Sequence, residues 1–230
     1  MAVDARPVHI GILALQGAFV EHQSSLERLR LSRTIQVILV KTLEELNQCD
    51  ALIIPGGEST TIALLAKLSG LLEPLRQFVK EKPVWGTCAG AILLAEKVEN
   101  TKKGGQEVLG GMSITIARNG WGSQVESFEG DLTVDGLRNS GEPYKGFFIR
   151  APVVVALHPK PEDPPIQVIA SLSPALLPPA LQSPDHSDEP KTYVALRQGL
   201  HLLTTFHPEL TKDDRFHEYF VNECVLPTVS

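Results

Sequence analysis

The sequence predicts an α/β fold: a mainly parallel central sheet with helices on both faces, plus additional antiparallel strands. Three observations carry this reading. Through the first hundred residues, short apolar runs without strict alternation are separated by segments of helical period, the pattern of strands buried on both faces. Beyond about residue 110, strand-like runs follow one another with no long helical pattern between them. Glycine- and proline-rich turns, such as Gln16-Gly17 and Pro55-Gly56-Gly57, stop the early strands abruptly.

The elements follow in order. Residues 8–15 (VHIGILAL) read as a strand, Gln16-Gly17 as a tight turn, and 19–31 as a helix with Phe19, Leu26 and Leu29 inward. Residues 35–40 are a second strand, and Leu43 and Leu46 mark a short helix. Residues 51–54 form a third strand, and 60–79 are helical in two pieces broken near Gly70 and Pro74. Val84 and Trp85 end a fourth strand, and 89–98 continue as helix. Later strands are expected at 112–118, 124–128, 146–150, 153–157 and 167–172. A hairpin joins 193–196 to 200–205 around Gln198-Gly199, and 213–225 is a closing helix with acidic residues in its first turn. The proline-rich stretch near 174–190 is an insert, neither helix nor strand. A single domain over 1–230 is expected, with its ligand crevice at the carboxyl ends of the parallel strands.

Composition narrows the function classes. Net charge is −6 and no basic stripe is present, so no nucleic-acid partner is expected. Cys49, Cys88 and Cys224 are odd in number and lack metal-site spacing, which argues against a disulfide framework or a bound metal. The N-terminus lacks the charged-then-apolar order of a signal peptide, and no apolar run approaches the roughly 20 residues of a membrane span. A reducing, cytoplasmic location with no membrane partner is the expectation.

Three segments carry chemistry. Gly86-Thr87-Cys88-Ala89-Gly90 lies between a strand and a helix, with the logic of a nucleophile elbow and Cys in place of Ser. The Ala89 N–H there can serve a developing oxyanion. Pro55-Gly56-Gly57-Glu58-Ser59 ends the third strand, where elbow enzymes place a second oxyanion donor. A plain turn with Ser59 as helix N-cap is the ordinary alternative. Phe206-His207-Pro208-Glu209 then offers a base and its orienting carboxylate. His207-x-Glu209 also resembles the H-x-E of zinc deaminases, but their later Pro-Cys-x-x-Cys is absent. His9, His22, His158, His186, His201 and His217 show no partner pattern, so core or surface roles are their default.

Taken together, GILALQGAFVEH (11–22), IIPGGEST (53–60), GTCAG (86–90), ARNGWGSQ (117–124), FIRAP (148–152) and FHPEL (206–210) resemble the glutaminase subunits of pyridoxal 5′-phosphate synthase, which are class I glutamine amidotransferases. The resemblance covers nearly the whole chain outside the proline-rich insert. GTCAG and HPE are common to many class I amidotransferases; the other segments are more specific. Gly120 and Trp121 depart from the commoner Ser and Phe, while Arg118, Asn119, Gly122 and Gln124 are kept.

The resemblance implies a flavodoxin-like fold and hydrolysis of L-glutamine by Cys88, His207 and Glu209, with no cofactor and no metal. It implies glutamine contacts from Gly57, Glu58, Ser59, Arg118, Ile149 and Arg150, and an oxyanion hole at Gly57 and Ala89. It places Gln16 near both the active site and a partner interface. The partner is a synthase subunit that receives the ammonia, and a peptide rearrangement near Gly57 and Glu58 is the family's usual account of activation on docking. Glutaminases of other amidotransferases, such as the histidine-biosynthesis type, share the triad but not the QGAFVEH and RNGWGSQ segments. A stand-alone cysteine peptidase or deglycase-like hydrolase, and a regulatory module that kept the fold, are the readings from other classes.

Overall fold

The computed structural model describes residues 6–101, 103–121, 127–177, 181 and 189–229. Its spine is a nine-stranded sheet. Strands β1 (Val8–Leu13), β2 (Ile35–Val40), β3 (Ala51–Ile54) and β4 (Val84–Thr87) appear in the first half. A three-stranded sheet takes β5 (Ala95–Glu99), β6 (Met112–Ala117) and β9 (Val153–Leu157). The large sheet is completed by β7 (Ser127–Val134), β8 (Tyr144–Ile149), β10 (Ile166–Leu172), β11 (Tyr193–Gln198) and β12 (His201–Thr204). Its order is β2-β1-β3-β4-β12-β11-β10-β7-β8. The run from β2 to β12 is parallel and has the 2-1-3-4-5 order of flavodoxin-like sheets; from β12 to β8 every pairing is antiparallel.

Side chains alternate across this sheet, yet both faces are apolar. Ile53 and Leu202 enter one core while Leu52, Ile54 and Leu203 enter the other. On the first face lie α1 (Phe19–Arg28) and α7 (Arg215–Tyr219), burying Leu26, Phe216 and the following Phe220 against Ile10, Ile12 and Trp85. On the second lie α3 (Ser59–Leu68), α4 (Leu72–Glu81), α5 (Ala89–Leu94) and the small sheet. Burial on both sides is why the early strands lack a polar face. Between β2 and β3, α2 (Leu43–Asn47) opens with a capping box formed by Thr42 and Glu45. Among the described residues no helix is long and apolar enough to cross a membrane.

Several expected elements are corrected. Residues 89–98 are not one helix: α5 stops at Leu94 and β5 follows, parallel to β6. Alanine, glutamate and lysine there favour helix locally. The carbonyls of Leu93 and Leu94 are instead taken by the N–H groups of Leu109 and Gly111, and strand pairing wins. The helical break falls at residues 69–71, with Gly70 at φ +72°, and Pro74 sits inside the first turn of α4, where a missing N–H costs no helical bond. Strand β7 extends to Val134 rather than ending at Phe128, and residues 124–126 of the expected strand lie outside the described residues. The closing helix changes pitch, with a π-helical stretch at Phe220–Val225. In the proline-rich stretch, a 3-10 turn forms at Pro174–Leu176 and the short helix α6 spans Glu189–Thr192, contrary to the expectation of neither; residues 178–180 and 182–188 lie outside the description.

Candidate active site

The crevice forms at the carboxyl ends of β1, β3, β4 and β12, as doubly wound sheets place it. Cys88 follows β4 with φ +48° and ψ −101°, a conformation that L residues avoid, and α5 begins at the next residue. Its N–H is held by the Thr204 carbonyl at 2.9 Å, so pairing with β12 fixes the bend. Small neighbours are compulsory. A Cβ on Gly90 would lie 2.0 Å from the Ile54 carbonyl oxygen, and one on Gly86 would lie 2.4 Å from that of Gly90. The thiol is 6% exposed and opens into a cavity of about 380 Å³. Cys49 and Cys224 are free but buried, and burial pushes both thiols up to about 12, which leaves them inert.

His207 caps the 3-10 turn Pro208–Leu210 just after β12, and Glu209 lies within it. The His207 N–H donates to the Phe147 carbonyl at 2.9 Å, tying the turn to β8. Its Nδ1 lies 2.7 Å from Glu209 Oε1, and Glu209 is walled off behind the ring. Gly56 packs beneath this pair: a Cβ there would meet His207 Cε1 at 2.4 Å and Cys88 Cβ at 3.4 Å.

The loop after β3 is clamped by the turn after β1. Gly17, at φ +108°, lets the Ala18 N–H reach the Gly56 carbonyl at 3.0 Å; any side chain at position 17 would strike that oxygen. Gln16 Oε1 accepts from the Glu58 N–H at 2.9 Å. Glu58, not Ser59, caps α3, accepting the Thr61 N–H at 2.8 Å. Its other oxygen pairs with Arg118 at 2.9 Å. Ser59 is thereby free of capping, and its hydroxyl donates to Gln106 Oε1 at 3.0 Å, which also receives Arg118 Nη1 at 3.3 Å.

Every residue proposed from the sequence except Glu209 lines one cavity. Gln16, Gly57, Glu58 and Ser59 form one wall and Cys88, Ala89 and His207 the floor. Arg118, Ile149 and Arg150 close the far side. Ile149 is 41% exposed at the mouth, its carbonyl 3.9 Å from Cys88 Sγ, and Arg150 turns the chain with φ +42°. Asn119 lines the cavity too; Gly122 and Gln124 lie outside the described residues. Sequence reasoning missed Gln106, one of several polar residues in a glycine-rich connection, which carries no periodic or motif signal.

The profile of the SNO glutamine amidotransferase family matches residues 12–226. The chain belongs to that family. This SNO-family chain is 46% identical to the "Probable pyridoxal 5′-phosphate synthase subunit PDX2" of Arabidopsis thaliana, the match covering 92% of this chain and 84% of the relative. It is 44% identical to the pyridoxal 5′-phosphate synthase subunit PdxT of Chloroflexus aggregans, over 92% and 98% of the two chains. A solved glutamine amidotransferase superposes with a TM-score of 0.72 at 40% identity, covering 92% of this chain and 96% of that one. A putative GMP synthase subunit from Thermoplasma acidophilum, 15% identical with a TM-score of 0.57, shares the fold.

Electrostatics in this SNO-family site favour an ion pair. Burial works against a charged His207, but its hydrogen bonds to Cys88 and Glu209 and their negative charge outweigh it, raising the imidazole from 6.5 to about 10. A raised value contributes stability that is fully present below 6.5 and is lost as pH rises through about 10. The alkaline limb of kcat/KM is accordingly expected well above the ordinary histidine value. A pH–rate profile that falls through about 6.5 instead would contradict it. Glu209 is held below its ordinary 4.5: burial opposes its ionisation, and His22 and His207 overcome that opposition. Among the described residues no group of three or more His, Cys, Asp or Glu is placed to hold a metal ion.

Proposed function

We propose that this chain hydrolyses L-glutamine to L-glutamate and ammonia and delivers the ammonia to a pyridoxal 5′-phosphate synthase subunit. The observation that carries the reading is a strained Cys88 sharing one cavity with a His207 that Glu209 holds at 2.7 Å. The curated relatives, named as subunits of that synthase, supply the partner.

The chemistry follows from these groups. Cys88 thiolate attacks the side-chain amide carbon of glutamine, and the N–H groups of Gly57 and Ala89 receive the oxyanion. One such donor is worth about 10²–10³ in rate. His207 gives its proton to the departing nitrogen, and ammonia leaves a γ-glutamyl thioester on Cys88. His207 then takes a proton from water, which attacks the thioester and frees glutamate and the thiolate. Glu209 keeps the imidazole in the required tautomer throughout.

Glutamine recognition falls to Glu58, Ser59 and Arg118, with Ile149 and Arg150 at the mouth. Arg118 is 7% exposed and paired with Glu58, so its charge faces the cavity rather than bulk water. Arg118→Ala is expected to raise KM for glutamine at least tenfold, in line with a lost charge-assisted bond of about 1.5–3 kcal/mol. An unchanged KM would remove Arg118 from substrate binding.

The loop at Gly57 and Glu58 is the segment on which docking would act. The decisive assay is glutamate release with and without the cognate synthase subunit. Strong stimulation is the expected result; full activity that ignores the synthase would leave a stand-alone amidase and refute the ammonia-donor role.

A further inference from the structure

Glu209 is not the last polar group behind His207. Its Oε1 takes the His207 ring; its Oε2 is buried and, among the described residues, has no hydrogen-bond partner, with His22 Nε2 lying 3.4 Å away. The same His22 nitrogen is 3.2 Å from Thr87 Oγ1, and His22 Nδ1 is 2.9 Å from His217 Nε2. His22, Thr87 and His217 are each 0% exposed. The Trp85 ring packs edge-on against both imidazoles, at 5.5 and 4.8 Å between centroids. Three polar side chains, from α1, β4 and α7, thus meet behind one carboxylate inside an otherwise apolar core.

The carboxylate selects the proton placement here. Burial drives His22 and His217 down to about 3, so both rings are neutral near pH 7 and each carries a single N–H. A bare nitrogen facing a buried carboxylate would repel it, so His22 carries its proton on Nε2. Its Nδ1 is then an acceptor and must receive the Nε2–H of His217. That leaves His217 Nδ1 bare, and this is the ring atom with no hydrogen-bond partner.

We propose that His22, fixed as the Nε2–H tautomer by His217, is a positioning residue that donates to the second oxygen of Glu209 and so holds that carboxylate against His207. The inference rests on the reading of Cys88, His207 and Glu209 as the catalytic triad. The contact is long at rest, and such bonds shorten as catalytic complexes form. The charged or titratable groups around the pair are few. Glu209 faces His207, His22 and Tyr144, while Arg28 is the cation near His217.

Two measurements test it, both on the full chain with the synthase subunit present for kinetics. Nitrogen NMR of histidine-labelled protein, with His22 assigned through His22→Gln, is expected to show Nε2 protonated and Nδ1 bare at neutral pH. The opposite tautomer or a doubly protonated ring overturns the proposal without need of any altered protein's activity. In kinetics, His22→Leu is expected to lower kcat roughly ten- to a hundredfold, the range for losing a group that orients a catalytic ligand, with KM for glutamine unchanged. It is also expected to shift the acidic limb of kcat/KM upward, because a carboxylate with one donor fewer protonates more readily. His22→Gln, which keeps an amide N–H, is expected to recover most of both. Wild-type kcat and acidic limb in folded His22→Leu, or no recovery in folded His22→Gln, overturns the role. If His22→Leu does not fold, the tautomer and the Gln variant decide. Glutaminase activity that survives loss of the Cys88 thiol would instead defeat the triad reading, and the tautomer result would stand apart from it.

Discussion

Cys88→Ser is expected to abolish glutamate release, with a loss of at least about 10⁴-fold, while glutamine still binds. A triad acts as a unit, and deleting its nucleophile in comparable enzymes removes nearly all acceleration beyond what binding and the oxyanion hole supply. Serine fits the same volume, so the fold at φ +48° should persist. What is lost is the sulfur nucleophile beside His207. A hydroxyl is far weaker as an acid and as a nucleophile than a thiol. The raised imidazole value depends partly on Cys88, so His207 is also expected to titrate lower in Cys88→Ser. Glutamate assays and histidine proton NMR on the same preparation check both halves. Retained turnover would take Cys88 out of the mechanism.

Gly90→Ala is expected to be among the most damaging single-methyl changes, alongside one at Gly17. The new Cβ would sit 2.0 Å from the Ile54 carbonyl oxygen and 2.8 Å from its carbon. Those atoms are backbone in a strand hydrogen-bonded on both sides, to β1 and β4, so the clash cannot be relieved by rotating a side chain. Overpacking of this kind costs about 1–3 kcal/mol where neighbours yield, and more where they do not. Moving α5 instead would carry the Ala89 N–H away from the oxyanion position. Denaturant unfolding should therefore show a loss of at least about 3 kcal/mol, and the folded fraction should hydrolyse glutamine poorly. Wild-type stability together with wild-type rate would mean that α5 is not locked to β3 as the geometry indicates.

Much of the candidate site was legible because its chemistry is local in sequence. The elbow needs small residues two positions either side of its nucleophile, so GTCAG announces itself. His207 and Glu209 stand two residues apart, close enough that their 2.7 Å contact is a property of one short turn. The parallel half of the fold was similarly readable, since unbroken apolar runs such as ALII can be satisfied only by burial on both faces.

The errors arose where distant backbone decided a local conflict. Residues 95–99 contain good helix formers, and only the arrival of residues 109–111 and the pairing with β6 turned them into strand. Ser59 has the composition of an N-cap, yet Glu58 reaches the Thr61 N–H while also holding Arg118, a division of one carboxylate between a helix end and a residue sixty positions away. Gln106 joined the site through contacts with Ser59 and Arg118 that no spacing rule encodes.

By itself the sequence determined the order of strands and helices in the parallel half, the residues proposed as nucleophile, base and carboxylate, and the glycines that let them approach. Each of these is set by the size, charge or period of residues near one another in the chain. Only the tertiary structure decided that Arg118 pairs with Glu58, that the turn at Gln16-Gly17 clamps the loop at residues 56–57, and that His22 and His217 stand behind Glu209. Those relations join groups from 38 to 195 positions apart. They exist because a twisted parallel sheet gathers the carboxyl ends of non-consecutive strands at one crevice, and because a buried carboxylate requires hydrogen-bond donors from whichever elements pack around it.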